Sequence, residues 1–182
     1  MDHPISTDAP PGARPGPGSL TPAASQVTAL YAAHATGLVR LAMLMLADQS
    51  SAEDVVQDAF FGLYRRWDSL ADPGRALSYV RSSVLNGCRD LLRKQSRRVP
   101  ALLAELDAES AEAVVLLGEE HRAVLRALRS LPGRQREAVI LRHCLGLPED
   151  EVAQTMNITK GTVKSATHRG LAALARLLKE EP

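Results

Sequence analysis

At 182 residues, 45% of them hydrophobic, the chain is long enough for one domain or two small ones with cores of their own. Three Tyr, two Phe and one Trp, with few alternating β-branched runs, argue against sheet architectures and for an all-α protein. The net charge of +1 conceals a segregation: residues 1–98 carry 11 basic and 9 acidic side chains, residues 99–121 none and 6, residues 122–182 11 and 6. Two basic parts are therefore joined by an acidic connector.

Residues 1–25 hold six Pro and three Gly and read as a disordered tail. Leu30, His34, Leu38, Leu41 and Met45 then recur at helical intervals and predict a first helix from about Ser25 to Leu46. With no ligand-type neighbours in sequence, His34 reads as a core or boundary residue. A turn at Asp48 to Ser51 follows, and Ser50 with Glu53 has capping-box spacing for a second helix. That helix points Val56, Phe60, Leu63 and Trp67 inward and Asp54, Gln57, Asp58 and Arg65 elsewhere. Asp72-Pro73-Gly74 breaks it. A third helix, Ala76 to about Arg97, buries Leu77, Val80, Val84, Cys88 and Leu91 or Leu92.

Around that third helix, Arg75, Arg81, Arg89, Arg93, Lys94, Arg97 and Arg98 face only one acid, Asp90. Such a patch suits phosphates, with little sequence information of its own. The connector, residues 99–118, mixes Glu105, Asp107, Glu109 and Glu112 with apolar Leu102, Leu103 and Leu106, which suggests short docking helices within a flexible link.

The C-terminal stretch has the order helix, turn, helix: Gln135 to His143, Glu149 to Met156, then Lys160 to Leu178. Pro148 and the acids behind it suit a helix start. Asn157 suits a left-handed residue and Thr159 a cap. Val163, Leu171, Leu174 and Leu178 are expected on the inner side of the last helix, with Lys164, Ser165, His168 and Arg169 on another face. This is the pattern of a helix-turn-helix, whose second helix enters the major groove of DNA.

Several classes are disfavoured. Cys88 and Cys144 stand 56 positions apart without a CxxC or His cluster, so neither a zinc site nor a disulfide framework is expected; both read as core-facing, and a cytoplasmic setting fits. The longest apolar run, Leu38 to Ala47, is short for a membrane span and contains Arg40, and the N-terminus lacks a secretory apolar stretch. The five His are scattered and no nucleophile sits beside a carboxylate pair, so no enzyme activity, metal or cofactor is expected.

Two motif sets carry a family resemblance. Ser51-Ala52-Glu53-Asp54-Val55-Val56-Gln57-Asp58-Ala59-Phe60, followed by Arg65-Arg66-Trp67, resembles region 2 of bacterial sigma factors of the extracytoplasmic-function (ECF) group of the sigma-70 family. Tyr79-Val80-Arg81, Asn86, Asp90, Arg93 and Lys94 resemble its promoter-melting helix. Leu131-Pro132-Gly133-Arg134-Gln135-Arg136-Glu137-Ala138-Val139, with Ile158-Thr159-Lys160-Gly161-Thr162-Val163-Lys164-Ser165 and His168-Arg169, resembles region 4.

The resemblance implies two small helical domains, region 2 at 26–98 and region 4 at 119–182, joined by the acidic connector. It implies a factor that binds the RNA polymerase core, through its β′ and β subunits, and directs initiation at promoters. Asp54, Gln57, Asp58 and Phe61 would meet the polymerase. Asn86, Arg89, Arg93, Lys94, Arg97 and Arg98 would meet the −10 element. Lys160, Thr162, Lys164, Ser165, His168 and Arg169 would read the −35 element, where Ala166 replaces the family's usual Arg and removes one expected charged contact. An anti-sigma protein is admitted as a further partner. The alternative is a stand-alone helix-turn-helix regulator whose N-terminal half dimerises or senses a ligand.

Overall fold

The computed structural model describes residues 21–98 and 119–180. Residues 1–20 of the expected tail and the expected docking helices of the connector lie outside these, whereas residues 22–25, expected in the tail, form the first turn of a helix that Thr21 and Pro22 start. The order is α1 (Pro22–Leu46), α2 (Gln49–Arg66), short 3-10 turns at Trp67–Ser69 and Pro73–Arg75, α3 (Ala76–Arg98), α4 (Glu119–Ser130), α5 (Gly133–Val139), α6 (Glu149–Met156) and α7 (Lys160–Glu180). A π turn at Ile140–Cys144 prolongs α5, and no strand occurs among the described residues.

Local chemistry sets the helix ends. Thr21 accepts from the Ala24 N–H at 3.2 Å and Pro22 occupies the first turn of α1, where a missing N–H costs nothing. Ala47, at φ 60°, closes the same helix by donating to the Met43 carbonyl. The cap of α2 is Asp48 rather than the expected Ser50. Its extended backbone brings Oδ2 to 2.8 Å from the Ser51 N–H, and a carboxylate there also suits the helix dipole. Asp72 caps the turn before α3 through the Gly74 N–H at 2.9 Å.

The first three helices share one core. Val27, Leu38, Leu41, Ala42 and Met45 of α1 are buried with Val55, Val56, Ala59, Phe60 and Leu63 of α2 and Val80, Val84, Leu85 and Cys88 of α3. Tyr31 meets Phe60 edge-on at 5.0 Å between ring centres. By length and composition α1 is apolar enough to cross a membrane, contrary to the sequence expectation, since one Arg is tolerated over 25 residues. Its buried stripe packs on α2 and α3, as in a core helix. His34 sits half-buried at the boundary, as expected.

The remaining helices build a second packed unit from Leu128, Ala138, Val139, Ile140, Leu141, Val152, Met156 and Val163. Two expectations fail on α7: Leu171 and Leu178 are exposed, at 40% and 38%. The inner side instead runs through Val163, Ala166, Gly170, Leu174 and Leu177. A Cβ added to Gly170 would lie 2.6 Å from Val139 Cγ2 and 3.2 Å from the Gln135 carbonyl oxygen, so α5 and α7 cross too closely for a larger side chain. That crossing rotates the two leucines outward. Cys144 is exposed, against expectation, because the π turn ends there at the surface, while Cys88 is buried.

The two units touch. α3 packs against α6, and α1 against α4 and the π turn.

Two helix glycines, one exposed and one buried, separate space from propensity. Gly37 has nothing within 4 Å of an added Cβ, so Gly37→Ala should stabilise by roughly 0.5–1 kcal/mol in denaturant titration. Gly170→Ala should destabilise by about 1–2 kcal/mol, because overpacking outweighs the same propensity gain.

The Asp48 carboxyl is held below its ordinary value by its bonds to Ser51. A depressed folded value means that its stabilisation is present above the unfolded pKa and fades as pH falls through the folded one. Asp48→Ala should cost about 1 kcal/mol at neutral pH, and the difference from wild type should shrink in titrations carried below pH ~3.

Candidate nucleic-acid interface

α6 and α7 are placed by backbone chemistry that the sequence announces. Pro148 precedes α6 in an extended conformation, and Glu149, Asp150 and Glu151 fill its first turn. Asn157, at φ 53° and ψ 53°, ends α6 in the left-handed region. Ile158 then donates to the Ala153 carbonyl at 3.0 Å. Thr159 Oγ1 accepts the Thr162 N–H at 3.2 Å and so caps α7. Arg134 donates to the Met156 carbonyl at 3.3 Å and neutralises the C-terminal end of α6.

The outer side of α7 carries Lys160, Thr162, Lys164, Ser165, His168 and Arg169, all exposed, as expected. Their polar atoms are lightly committed. Ser165 Oγ donates to the Thr162 carbonyl at 3.1 Å, Arg169 Nε to the Ser165 carbonyl at 3.2 Å, and Lys164 lies 3.8 Å from Glu149. A contact that long and exposed is easily exchanged for a phosphate. Ala166 is 5% exposed and faces the core, so the absence of Arg there does not remove a cation from this exposed side. The expected loss of a contact is corrected accordingly.

α3 is more heavily engaged. Asn86, Arg93 and Lys94 are exposed, and Arg97 and Arg98 lie on the last turn, their side chains outside the described set. Arg93 pairs with Asp90, the one acid of this stretch. Arg89 is different. Its Nε and Nη2 each donate at 2.7 Å to the two carboxylate oxygens of Glu137 on α5, and its Nη1 reaches Asn86 Oδ1 at 2.8 Å. Arg81 donates to Glu151 of α6 at 2.5 Å. The Glu137 bond raises the Arg89 pKa above its ordinary value, and burial, aided by the Glu137 charge, pushes the Cys88 thiol up to about 12. Nothing in the sequence marks Glu137 or Glu151 as partners of α3, because the pairing spans 48 and 70 positions.

Elsewhere on the first unit, Asp54, Gln57, Asp58 and Phe61 are exposed on one face of α2. Phe61 is 60% exposed, with the Arg65 guanidinium 5.8 Å from its ring centre. Beside it, Val27, Tyr31, Phe60, Phe61 and Tyr64 line a shallow hollow of about 460 Å³. Tyr31 and Tyr64 were not singled out from sequence, although Gln57, Phe61 and Tyr64 have the spacing of one helix face. An exposed aromatic hollow with Gln57 in its lining is chemically suited to a protein partner.

Known proteins resemble both halves. The model of sigma-70 region 2 matches residues 30–98 and that of sigma-70 region 4 matches residues 121–174. The RNA polymerase sigma-E factor of Streptomyces avermitilis is 31% identical over 143 residues, covering 78% of this chain and 79% of that protein. The ECF RNA polymerase sigma factor SigM of Mycobacterium tuberculosis is 33% identical over 149 residues, covering 82% and 75%. Among solved structures, the sigma factor RpoE in complex with the anti-sigma factor NepR from Bartonella quintana shares the fold. Its TM-score is 0.63 at 22% identity, over 85% of this chain and 98% of that one.

If the α7 face meets phosphates, Lys164→Ala and Arg169→Ala should each weaken duplex binding across sequences and flatten the plot of log affinity against log salt by about 0.9. His168→Ala should instead change base preference. Fluorescence anisotropy over a salt series, on duplexes of several sequences, separates the two effects.

Proposed function

The chain belongs to the ECF RNA polymerase sigma factors, and on that footing we propose how its surfaces divide the work of promoter-directed initiation. The protein binds the polymerase core and gives it promoter specificity; catalysis belongs to the polymerase. This reading places the protein in the cytoplasm, where polymerase works on the chromosome.

The exposed face of α2 is the core-binding surface. Asp54 and Asp58 offer carboxylates to basic side chains of the polymerase, Gln57 a hydrogen bond, and Phe61 an apolar anchor beside the aromatic hollow. α3 takes the −10 element. Asn86 is suited to a base edge, while Arg89, Arg93, Lys94, Arg97 and Arg98 track the freed strand. Tyr79 is the one aromatic on α3 and is half-buried, so stacking contributes little to melting there. α7 reads the −35 element in duplex DNA, with Lys160, Lys164 and Arg169 on phosphates, Ser165 and His168 towards base edges, and Thr162 at the helix N-terminus. A protein antagonist of the anti-sigma kind, such as the NepR bound in the Bartonella structure, belongs to this reading as a further partner.

The observation that carries the proposal is the placement of two separate polar faces, α2 and α7, on opposite ends of one sequence whose two halves both match the family. Core-binding and run-off transcription on genomic DNA test it. Wild type should confer starts that share −35 and −10 elements. Combined Asp54→Ala, Gln57→Ala, Asp58→Ala and Phe61→Ala should weaken core binding at least about 100-fold, as loss of a hot-spot cluster does, while leaving duplex binding by α7 intact. Tight duplex binding without any affinity for core would instead establish a stand-alone regulator.

A further inference from the structure

We propose that the free protein latches itself shut, with acids of the second unit standing where DNA phosphates would meet α3. Arg89 commits three of its nitrogens, two of them to both oxygens of Glu137, and Glu137 is 2% exposed. A guanidinium held in that fork has its Nε/Nη2 edge filled, so a phosphate takes that edge only by displacing Glu137. Arg81, about two turns back along α3, is held by a single Nη1 bond to Glu151. Between them Ser82 Oγ donates to the Thr155 carbonyl at 3.1 Å, and before Arg81 Ser78 Oγ donates to Gln154 Oε1 at 3.3 Å. Arg136 of α5 reaches across to the Met45 carbonyl at the end of α1, at 3.3 Å. α6, the first helix of the helix-turn-helix, thus lies along the strand-binding helix of the other unit.

The chemistry of this contact is that of a reversible interface. Its directional contacts are ion pairs and hydroxyl bonds, and two buried polar atoms, Thr155 Oγ1 and Arg136 Nε, find no hydrogen-bond partner among the described residues. Each unsatisfied group works against closure, and each ion pair weakens as salt rises. The closed form is also selective in what it covers. Lys160, Lys164, Ser165, His168 and Arg169 stay exposed on α7, and Asp54, Gln57, Asp58 and Phe61 on α2, while Arg81 and Arg89 are occupied. The polymerase-binding face and the duplex-reading face remain open as α3 is quenched. A partner that draws the units apart releases two arginines for the strand. This inference rests on the assignment of α3 to the −10 strand, and its test is arranged so that the two fail differently.

The test uses the full chain, small-angle scattering for its radius of gyration, and anisotropy with a fluorescein-labelled single-stranded DNA of random sequence. Glu151→Gln and the double variant Glu137→Gln/Glu151→Gln are compared with wild type. Asp150→Asn removes the same charge one position away and controls for charge alone. Wild type should be compact at low salt and expand at high salt. Glu151→Gln should expand at low salt and bind the strand about threefold more tightly, and the double variant about tenfold, as relief of a closed-state population penalty requires. Asp150→Asn should do neither. The swap Arg81→Glu/Glu151→Arg should return the compact form. Because Glu151 is 43% exposed at its side chain, its substitution leaves the core of the second unit intact. An expanded wild type, or variants that stay compact, would overturn the latch. Expansion without a gain in strand binding over Asp150→Asn would overturn the inhibition. The underlying assignment fails separately if Arg93→Ala and Lys94→Ala leave strand binding by the open double variant unchanged.

Discussion

Close approach at the helix crossings governs what every other part of this molecule can do. With so few aromatic residues, the core is filled by aliphatic side chains and made dense by small ones. An added Cβ at Gly87 would lie 2.8 Å from Val55 Cγ1, which fixes how near α3 comes to α2. Gly170 does the same for α7 against α5. Ala42, Ala52, Ala59, Ala153 and Ala166 extend these contacts. Once the crossings are set, the rotation of each helix about its axis follows, and with it the face turned to solvent. The polar faces of α2 and α7 are in this sense consequences of where small residues lie on their opposite sides.

Charge is then placed on faces already determined. On α7 the cations project from a helix whose N-terminal end is capped internally by Thr159, leaving them weakly paired. On α3 the cations divide. Arg93 and Lys94 stand exposed near the end of the helix, while Arg81 and Arg89 occupy the part that other helices cover. A buried carboxylate such as Glu137 is costly to hold unless its charge is matched, and Arg89, with Arg134 at 3.7 Å, supplies the match. The pairing contributes less to net stability than to fixing which surfaces meet.

Much of this was legible in the sequence, for identifiable reasons. Helical spacing locates α1, α2, α3, α6 and α7 within a few residues, because each has a continuous apolar stripe and a punctuating Pro, Asn, Asp or Gly. The helix-turn-helix is readable through Asn157 and Thr159, whose roles are local. Errors arose where a neighbouring helix decides. Leu171 and Leu178 look inward by spacing from Val163 and yet lie outside, since Gly170 and Ala166 draw the helix in along a line rotated from theirs. Ala166 looked like a missing DNA contact for the same reason. Ser50 lost the cap to Asp48 because a carboxylate two residues earlier reached the free N–H first. The tyrosines of the aromatic hollow come from two helices, and single-helix periodicity has no means of joining them.

The partners of α3 show where reading charge along a sequence stops being sufficient. Seven cations and one acid between Arg75 and Arg98 describe a helix in want of negative charge, and nucleic acid is one supplier. Glu137 and Glu151 are another, carried by the chain itself and brought to hydrogen-bond distance by folding. Both suppliers satisfy the same guanidinium geometry. Which one is bound depends on a competition between an intramolecular carboxylate at high effective concentration and an external polyanion gaining counterion release. A basic helix in a multidomain DNA-binding protein is therefore better regarded as a shared site than as a dedicated one, and its affinity measured in isolation overstates what the whole chain displays.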